Sequence, residues 1–509
     1  MPKLSRRIFL AGGAVGGALA SASSQAYWFS RPTRSSTKAL VIGSGFGGSV
    51  ASLRLCEAGI PTVLLERGQA WKYTDENSFP KIADIYGELE DGVLWREPTR
   101  LLGGSVGMLQ YIIDSGISVG VGACLGGGSK VYGGVLLQPR REIFETALPA
   151  LNYTQYDRVY YPRVLDRVSG GPIPDDILNS PNYAGMREHI RTATAAGHEV
   201  VRSEVGFDWN IIREEIQGKR AAAASKGEYA FGCNSGAKNT LDRNYLRDAA
   251  RTGKLKIHVL HNVKHIVKKR WGKGYDVHCD MLSDTGRILG EHIIECEHLF
   301  MGAGSVHTTR LLLKSQAMGD LPGITSKLGD QWGTNGDLIY ARYGLGEVNN
   351  EYQAGPACIA SFDTNNPIKP TGFMHSPAPV GKSMQLQMGM LVPEVTSKAT
   401  YSLLRDKMSF NWDKSLDTRS TAALDSTTQD MINVSGGKFT SVAAFGTWHP
   451  LGGVAMGSSC DYSGRVFGLE NLYVVDGASI PGAVGAANPA LTVAANAERM
   501  MDQLIPTLV

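Results

Sequence analysis

Gly43-Ser44-Gly45-Phe46-Gly47-Gly48 separates an apolar run, Ala39–Ile42, from a segment with helical periodicity. This order predicts the strand, turn and helix that open a dinucleotide-binding unit. Gly43 permits the tight turn, Gly45 leaves room for a pyrophosphate, and Gly48 lets the helix pack on the strand. Unpaired amides at the helix N-terminus would face the phosphates. A glycine pattern alone is weak, so the prediction also depends on the segment after Gly48.

That segment supplies the other half of the unit. The helical pattern ends at Gly59, an apolar run comes next over Pro61–Leu65, and Glu66 stands directly after it. An acidic side chain about 20 residues beyond the glycines, at the end of the second strand, binds the ribose hydroxyls of a dinucleotide. Alone, Glu66 would be an ordinary strand end. In this order, the features predict dinucleotide binding.

Composition indicates a soluble α/β protein with two domains. The chain has 509 residues, is 43% apolar, contains 61 glycines and has a formal net charge of +3. It is long enough to bury two large cores. The charge is small for this size and no basic run is interleaved with aromatic residues, so we expect no nucleic-acid partner.

The N-terminus is typical of an export signal. Ser5–Leu10, with Arg6 and Arg7, is a twin-arginine pattern, and a weakly apolar run leads to a small-residue site ending at Ala26. We therefore predict that residues 1–26 are a twin-arginine signal peptide and that the mature protein is periplasmic or secreted. The run is too short and too rich in glycine for a stable transmembrane helix.

Seven cysteines are scattered along the chain without a C-x-x-C pair or metal-ligand spacing. An odd number with wide gaps predicts buried thiols, and we expect no structural metal.

Further segments are predicted to reach the cofactor because they combine glycine with the end of an apolar strand. They are a glycine-rich stretch over 120–134, a strand ending at Gly304 and a strand ending at Asp476. Together with the first motif, they give the predicted cofactor-binding residues: Gly43, Gly45, Gly48, Glu66, Gly126, Gly128, Ser129, Gly133, Gly134, Val263, Gly304, Asp476, Asn488 and Pro489.

Two segments keep alternative interpretations. The irregular, aromatic stretch over 71–102 is either a lid or an insertion packed on the core, and a lid is slightly favoured. Met384–Leu391 alternates with a period of two, which predicts a half-buried strand. Its methionines belong either to ordinary core or to an apolar substrate cavity, and core is favoured for any single methionine.

The C-terminal segment carries the predicted chemistry. His449 precedes Pro450 after a short apolar strand, and alcohol oxidation needs a group that handles a proton near neutral pH. Asn488 and Pro489 are predicted to cap and begin a helix. The positive end of that helix suits the negative charge of a reduced flavin.

Taken together, the ordered motifs resemble the glucose–methanol–choline (GMC) oxidoreductase family, most of all its class I cholesterol oxidases, which bind FAD non-covalently. The resemblance covers nearly the whole chain. It includes the twin-arginine leader and the motifs at 43–48, 126–129, 133–134, 239–246, 302–305, 332–336, 449–453, 464–466, 471–474 and 488–489.

The resemblance implies roles for two catalytic residues. His449 matches the histidine that binds the substrate hydroxyl and handles its proton while hydride passes to flavin N5. Asn488 matches the asparagine that orients substrate or solvent beside the flavin. Covalent attachment through a histidine near the N-terminal motifs is excluded because the first histidine is His189. Non-covalent FAD is therefore expected.

The chain departs from the sterol-oxidising branch at two positions. Met374 stands where the isomerising enzymes carry a glutamate, and strand alternation would direct His375 to the opposite face. A thioether cannot shuttle a proton, so we predict weak or absent isomerase activity. Tyr132 stands where the branch tends to have a small amide. With the shorter lid region, it implies a reshaped substrate cavity.

These predictions give an α/β fold with a discontinuous Rossmann-like FAD-binding domain and a substrate-binding domain with a mostly antiparallel sheet. The FAD-binding domain is assigned to 37–72, 100–140, 230–320 and 446–509. The substrate-binding domain is assigned to 73–99, 141–229 and 321–445.

The predicted activity is oxidation of a secondary alcohol on a bulky apolar substrate, a 3β-hydroxysteroid such as cholesterol, with reoxidation by O2 to give H2O2. Another lipid or terpenoid alcohol, and a quinone or protein electron acceptor, remain alternatives. A non-catalytic, flavin-bound lipid-binding protein is a minor one. A monomer is expected, and transient contact with a membrane surface to extract the substrate is left open.

Overall fold

The computed structural model describes residues 31–81, 93–99, 103–350, 352–378, 380–442 and 446–509. The predicted signal peptide, 1–26, and parts of the predicted lid lie outside these residues. The strands are β1 Thr33–Ile42, β2 Thr62–Leu65, β3 Trp95–Thr99, β4 Gly103–Val106, β5 Leu109–Asp114, β6 Ile117–Gly122, β7 Val135–Leu136, β8 Glu199–Arg202, β9 Glu204–Val205, β10 Leu255–His258, β11 His261–Lys268, β12 Tyr275–Leu282, β13 Ile288–Met301, β14 Leu338–Tyr343, β15 Ile359–Asp363, β16 Thr371–His375, β17 Met384–Met390, β18 Thr400–Ser402, β19 Lys407–Ser409, β20 Lys438–Ser441 and β21 Leu472–Val474.

The helices are α1 Phe46–Glu57, α2 Gly128–Val131, α3 Arg141–Ala147, α4 Tyr153–Gln155, α5 Tyr161–Val168, α6 Asp175–Leu178, α7 Ala184–Ala195, α8 Trp209–Ile216, α9 Tyr245–Arg251, α10 Gly304–Ala317, α11 Thr418–Ser435 and α12 Ala490–Leu504. Shorter helical turns occur at Tyr156–Tyr160, Pro181–Tyr183, Ala224–Lys226, Leu241–Arg243, Lys414–Asp417, Gly477–Ser479 and Ile505–Thr507.

A seven-stranded sheet forms the nucleotide-binding part, as the glycine motif predicts. Its parallel portion runs β10-β2-β1-β13-β21, and β12 and β11 extend it antiparallel beyond β13. β1 is buried on both faces: Ala39 and Val41 belong to one hydrophobic core, and Leu40 and Ile42 to another. Such double burial explains why β1 ends in an uninterrupted apolar run. The strand order and the helices on both faces are those of a Rossmann-like domain.

A six-stranded antiparallel sheet forms the second part, in the order β20-β14-β17-β16-β15-β8. Its side chains alternate between two environments. On β16, Phe373 packs in the cluster that also contains Ala193 of α7 and Leu424 of α11, whereas Met374 belongs to a different cluster. Helices α7 and α11 therefore cover one face, and the other face is free to line a cavity. The α/β class and the antiparallel second sheet are confirmed.

Two helix boundaries have local causes. A turn that begins at Pro181 separates α6 from α7. Helix α9 begins at Tyr245, where the Asn244 side chain accepts a hydrogen bond from the Tyr245 amide.

All seven cysteines are buried free thiols, as predicted. Within the described residues, no helix has the length and apolar character needed to cross a membrane.

Candidate active site

A large cavity lies between the two sheets. It extends from the carboxyl ends of β1 and β2 to the side chains of β16 and β17, and it encloses about 2270 Å³ of empty space including solvent at its mouth. In an open α/β sheet, ligands bind outside the carboxyl ends of the parallel strands. The fold therefore places the cavity where a dinucleotide binds, and the second sheet closes it from the opposite side.

Glycines of several segments bring the main chain to the cavity wall. Gly43 adopts φ +95° in the turn after β1, and a Cβ there would lie 2.4 Å from the Gly302 carbonyl oxygen. By contrast, a Cβ on Gly45, Gly128 or Gly304 would meet no protein atom nearer than 3.8 Å among the described residues. These three glycines all line the cavity. Gly43 is thus required by the fold, whereas the other three leave open space beside the main chain.

Glu66 lies at the carboxyl end of β2 and lines the cavity. Its Oε2 accepts hydrogen bonds from the Ser44 hydroxyl at 2.5 Å and the Ser44 amide at 3.3 Å, and its Oε1 accepts one from the Gly68 amide at 3.0 Å. Burial raises the pKa of this carboxyl above its usual range. Because a carboxylate has about four acceptor sites, capacity remains for a hydroxyl of a bound ligand.

Arg67, which was not among the predicted site residues, extends this end of the cavity. Its guanidinium lies 4.1 Å from the centroid of the Trp95 ring and donates to Gln110 Oε1 at 2.8 Å. Its Nη2 is buried and has no hydrogen-bond partner among the described residues. Burial lowers the pKa of Arg67 to about 10. A buried donor on the cavity wall can bind a polar group of a ligand, and its position directly after Glu66 was the available sequence signal.

Asp476 follows β21 and lines the cavity next to the N-terminus of α10. Its Oδ2 accepts hydrogen bonds from the Gly304 amide at 2.7 Å and from the Thr308 hydroxyl at 2.6 Å, and its Oδ1 accepts one from the Ala478 amide at 2.9 Å. Burial raises the pKa of Asp476 to about 6. The carboxyl thus joins two segments of the cavity wall.

Of the other predicted cofactor-binding residues, Gly133, Val263 and Pro489 also line the cavity. The lining does not include four of the predicted residues: Gly48, Gly126, Ser129 and Gly134. These residues contact other protein atoms and serve the packing of the fold. A Cβ on Gly48 would lie 2.0 Å from the Gly43 carbonyl, so Gly48 permits close packing of α1. The Ser129 hydroxyl donates to the Gly126 carbonyl and accepts from the Leu241 amide.

His449 lines the cavity and is held by a buried carboxylate. Its Nδ1 lies 2.8 Å from Oδ1 of Asp337, whose side chain is fully buried. Thr447 fixes the same carboxylate by donating its hydroxyl to Oδ2 at 2.7 Å. Since an ionised carboxylate only accepts hydrogen bonds, Nδ1 carries the proton in the neutral imidazole. Nε2 then has a free lone pair and no protein partner among the described residues.

Asp337 was not predicted. It comes directly after the 332–336 motif and immediately before β14, while His449 belongs to the segment that precedes the C-terminal strand β21. The carboxylate therefore links the antiparallel sheet to the catalytic segment. An acidic residue adjoining a recognised motif was the only sequence signal for it.

Asn488 is on the cavity wall, but it does not cap a helix. Its Oδ1 accepts from the Leu137 amide at 3.1 Å, and its Nδ2 donates to the Val135 carbonyl at 2.9 Å. Helix α12 begins at Ala490 without a side-chain cap. The predicted capping role is wrong because the amide pairs with β7 and the residue after it. Oδ1 and Nδ2 of Asn488 each keep capacity for one more hydrogen bond, and the side chain lines the cavity.

The opposite wall is apolar. Met374 on β16 and Met388 on β17 are register partners, and both line the cavity, as does Leu386. Of the methionines on β17, Met388 reaches the cavity and Met390 is buried core outside it. His375 lies on the other face of β16, with its ring 5.8 Å from that of His189. The alternation predicted for Met374 and His375 is confirmed.

Tyr132 forms part of the wall beside the nucleotide end. Its ring meets that of Phe46 edge-on at 5.6 Å, and Lys238 Nζ lies 5.2 Å from its centroid. Burial raises the pKa of the phenol. The side chain occupies volume that a smaller residue would leave free, and the reshaping of the substrate cavity stays a prediction.

The cavity fits a flavin dinucleotide by its donors and shape. The N-termini of α1, α10 and α12 all reach it, which provides positive potential for a pyrophosphate and for a reduced ring. Gly45, Gly128 and Gly304 leave the main chain accessible, and Glu66 offers acceptors for a ribose. The residues present therefore match a bound FAD.

Comparison with known proteins agrees with this geometry. The chain is 25% identical to a cholesterol oxidase of Acinetobacter baumannii over 547 aligned positions, covering 91% of this chain and 94% of that protein. It is 24% identical to a cholesterol oxidase of Mycobacterium tuberculosis, with 90% and 89% covered. A solved fungal aryl-alcohol oxidase superposes with a TM-score of 0.63 at 13% identity, over 92% of this chain and 99% of that one.

Two family models, both described as GMC oxidoreductase, match residues 7–332 and 398–497. Members of this family typically bind FAD, and their activity is that of alcohol oxidoreductases. The sheet order, the glycine-lined wall and the paired His449 and Asp337 are consistent with that chemistry. The chain belongs to the GMC oxidoreductase family.

Proposed function

We propose that this protein oxidises a secondary alcohol on a bulky apolar substrate, a 3β-hydroxysteroid such as cholesterol, to the ketone. The observation that carries the proposal is the orientation of His449. Its Nδ1 is bound to the buried Asp337, and its Nε2 is the ring nitrogen left to a cavity whose far wall is apolar.

His449 would act as the proton acceptor. Nε2 takes the hydroxyl proton as the hydride leaves the carbinol carbon, so that the alcohol loses H⁺ and H⁻ and becomes a ketone. Asp337 keeps the imidazole in the accepting tautomer and stabilises the imidazolium that forms. When bound, FAD supplies the hydride acceptor and passes the electrons on. Asn488, held by β7, would orient substrate or solvent beside it.

The apolar wall supports a bulky substrate. Met374, Met388 and Leu386 offer hydrocarbon and thioether surface, and Met side chains adapt to irregular apolar ligands. The relatives named cholesterol oxidases point to the same class of substrate. Met374 has no proton-transfer group, and His375 faces away from the cavity, so we propose that migration of a steroid double bond is weak or absent.

We further propose that FAD is bound non-covalently and reoxidised by O2 to give H2O2. No histidine occurs before His189, so the N-terminal motifs offer no imidazole for attachment. Denaturation in acid should release all of the flavin into the supernatant. Flavin that remains with the precipitated protein would contradict this.

The test is anaerobic bleaching of the flavin absorbance. The purified holoenzyme is mixed with cholesterol, other 3β-hydroxysteroids and terpenoid alcohols, then exposed to air with peroxide detection. We expect bleaching by sterols, peroxide on reoxidation and a product without the conjugated enone. If no sterol bleaches the flavin but another bulky alcohol does, the sterol proposal fails and the family chemistry remains.

The same experiment addresses the electron acceptor. If the reduced flavin persists in air but reoxidises rapidly with a soluble quinone, the enzyme is a dehydrogenase. A flavin that no alcohol reduces would instead support a lipid-binding protein.

We also propose export by the twin-arginine route. In a host with this pathway, the protein should appear outside the cytoplasm with flavin bound, and changing both Arg6 and Arg7 to Lys should retain it inside. Equal export of the double variant would contradict the proposal.

A further inference from the structure

A second group of potential ligands lies in the antiparallel part, away from the cavity. It consists of His198 between α7 and β8, Asp363 at the end of β15 and Asp430 on α11. One donor atom from each lies within 4.8 Å of the other two. None of the three lines the active-site cavity.

The His198 imidazole is buried without a hydrogen bond. Its side chain is 3% exposed, and neither Nδ1 nor Nε2 has a hydrogen-bond partner among the described residues. Nε2 points between the carboxylates, 3.9 Å from Asp363 Oδ2 and 4.0 Å from Asp430 Oδ2. These distances are too long for hydrogen bonds. A buried imidazole without a hydrogen-bond partner is unusual in proteins, and an ion bound between the three donor atoms would provide the partner.

We propose that His198, Asp363 and Asp430 bind one divalent transition-metal ion, with Zn²⁺ as the preferred probe. One neutral imidazole and two carboxylates balance the charge of a divalent cation. Zinc binds such ligands at about 2.0–2.2 Å. In a tetrahedral site the donors would be about 3.4 Å apart, so the two distances from His198 Nε2, 3.9 and 4.0 Å, must each shorten by roughly half an ångström.

The surroundings of Asp363 support a ligand role. Its Oδ2 accepts hydrogen bonds from the Thr427 hydroxyl at 2.8 Å and from Nδ2 of the Asn366 side chain at 3.1 Å. Both donors bind Oδ2, the oxygen nearest to His198 Nε2, and fix the orientation of the carboxylate, while Oδ1 keeps its acceptor sites for the ion. The Asp430 side chain is 47% exposed, which gives an ion and its water ligands a path from solvent.

The site would join three elements. It would connect the turn after α7 and the end of β15 to α11, the helix that covers the outer face of the sheet. Binding an ion only in the folded state would stabilise this part of the protein in proportion to the ion concentration.

The experiment uses the tag-free holoenzyme, stripped with EDTA and then titrated with Zn²⁺, Mn²⁺, Mg²⁺ or Ca²⁺. Bound ion is counted by mass spectrometry after dialysis, and the thermal midpoint is followed in parallel. We expect one Zn²⁺ per chain, a higher midpoint and much weaker binding of Mg²⁺ and Ca²⁺, because an imidazole ligand favours zinc.

Asp430→Asn, on the exposed side of the site, should weaken Zn²⁺ binding by more than roughly 10-fold while leaving alcohol oxidation unchanged. Glu347→Gln is the matched control, since its side chain is 79% exposed and outside the group. Failure of the wild type to retain one ion, equal binding by Asp430→Asn, or equal affinity for Mg²⁺ and Zn²⁺ would overturn the proposal. His198→Gln provides a second, independent removal of a ligand.

Discussion

At its nucleotide end the cavity is lined largely by main chain, whereas at its substrate end it is lined by side chains. Gly43, Gly45 and Gly304 bring backbone and helix N-termini to the first wall. Met374 and Met388 form the second wall on an antiparallel sheet. A wall of backbone tolerates few substitutions, because a methyl group at Gly43 collides with the Gly302 carbonyl and one at Gly45 or Gly304 projects into the space left beside the main chain. A wall of side chains changes shape with each substitution, so substrate preference can vary while the cofactor end stays the same.

The largest effect is expected at Gly43. Gly43→Ala adds a Cβ 2.4 Å from the Gly302 carbonyl, at φ +95°. Overpacking and backbone strain together should lower the free energy of unfolding by roughly 2–6 kcal/mol and remove most bound flavin. Thermal unfolding and flavin content measure both. Gly59→Ala is the control, since φ is +77° there but no atom lies within 4 Å, and it should cost about 1 kcal/mol. Equal effects of the two variants would contradict the steric argument.

The next effect is catalytic. His449→Gln should lower kcat by roughly 10²- to 10⁴-fold, because the proton acceptor is lost while the wall remains. Flavin content and thermal midpoint should stay at the wild-type values. His278→Gln, on β12 and outside the cavity lining, is the control. A variant with normal turnover would show that another group takes the proton.

Asp337 links the antiparallel sheet to the segment that carries His449, and its substitution tests the orientation of that imidazole. Asp337→Asn removes the charge but keeps the shape, so kcat should fall by roughly 10- to 10³-fold with little change in KM. Steady-state kinetics with a reducing alcohol provide the measurement. If KM rises while kcat is unchanged, Asp337 shapes the substrate wall and does not orient the imidazole.

The nucleotide end should also respond to pH. The pKa of Asp476 is about 6 in the folded protein and about 3.9 in an unfolded chain. The folded state therefore binds more protons between these values, and its stability falls as pH rises from about 4 to about 6, by up to ~3 kcal/mol. Asp476→Asn should reduce this dependence in thermal melts across that range. If the stability of Asp476→Asn depends on pH as strongly as that of the wild type, Asp476 is not the cause of the dependence.

The smallest effect on stability is expected at the substrate end. Met374→Leu conserves volume and should cost less than about 1.5 kcal/mol, yet it should change the ratio of kcat/KM values between a sterol and a smaller alcohol. Met390→Leu, buried on the same sheet but outside the cavity lining, should leave that ratio unchanged. Equal ratios in all three proteins would mean that Met374 does not contact substrate.

Features with a local requirement could be predicted from the sequence. The turn at Gly43 and the acidic strand end at Glu66 are visible because backbone geometry demands specific residues at short spacing. Prediction failed where a side chain finds its partner far along the chain. Asn488 was assigned to a cap, yet its amide binds the Val135 carbonyl, and Asp337 and His449 meet across 112 positions. The ligands of the proposed metal site, likewise, come from separate elements without a recognisable spacing.

The pairing of Asn488 with β7 has a consequence for synthesis. Strand β21 and Asn488 come long after β13 in the chain, yet β21 completes the parallel sheet beside β13 and Asn488 donates a hydrogen bond to the Val135 carbonyl at the cavity wall. At roughly 5–20 residues per second, translation completes the other strands of the first sheet many seconds before it reaches β21 and Asn488. The cavity therefore cannot close until these late segments have been made, and capture of the cofactor waits for them.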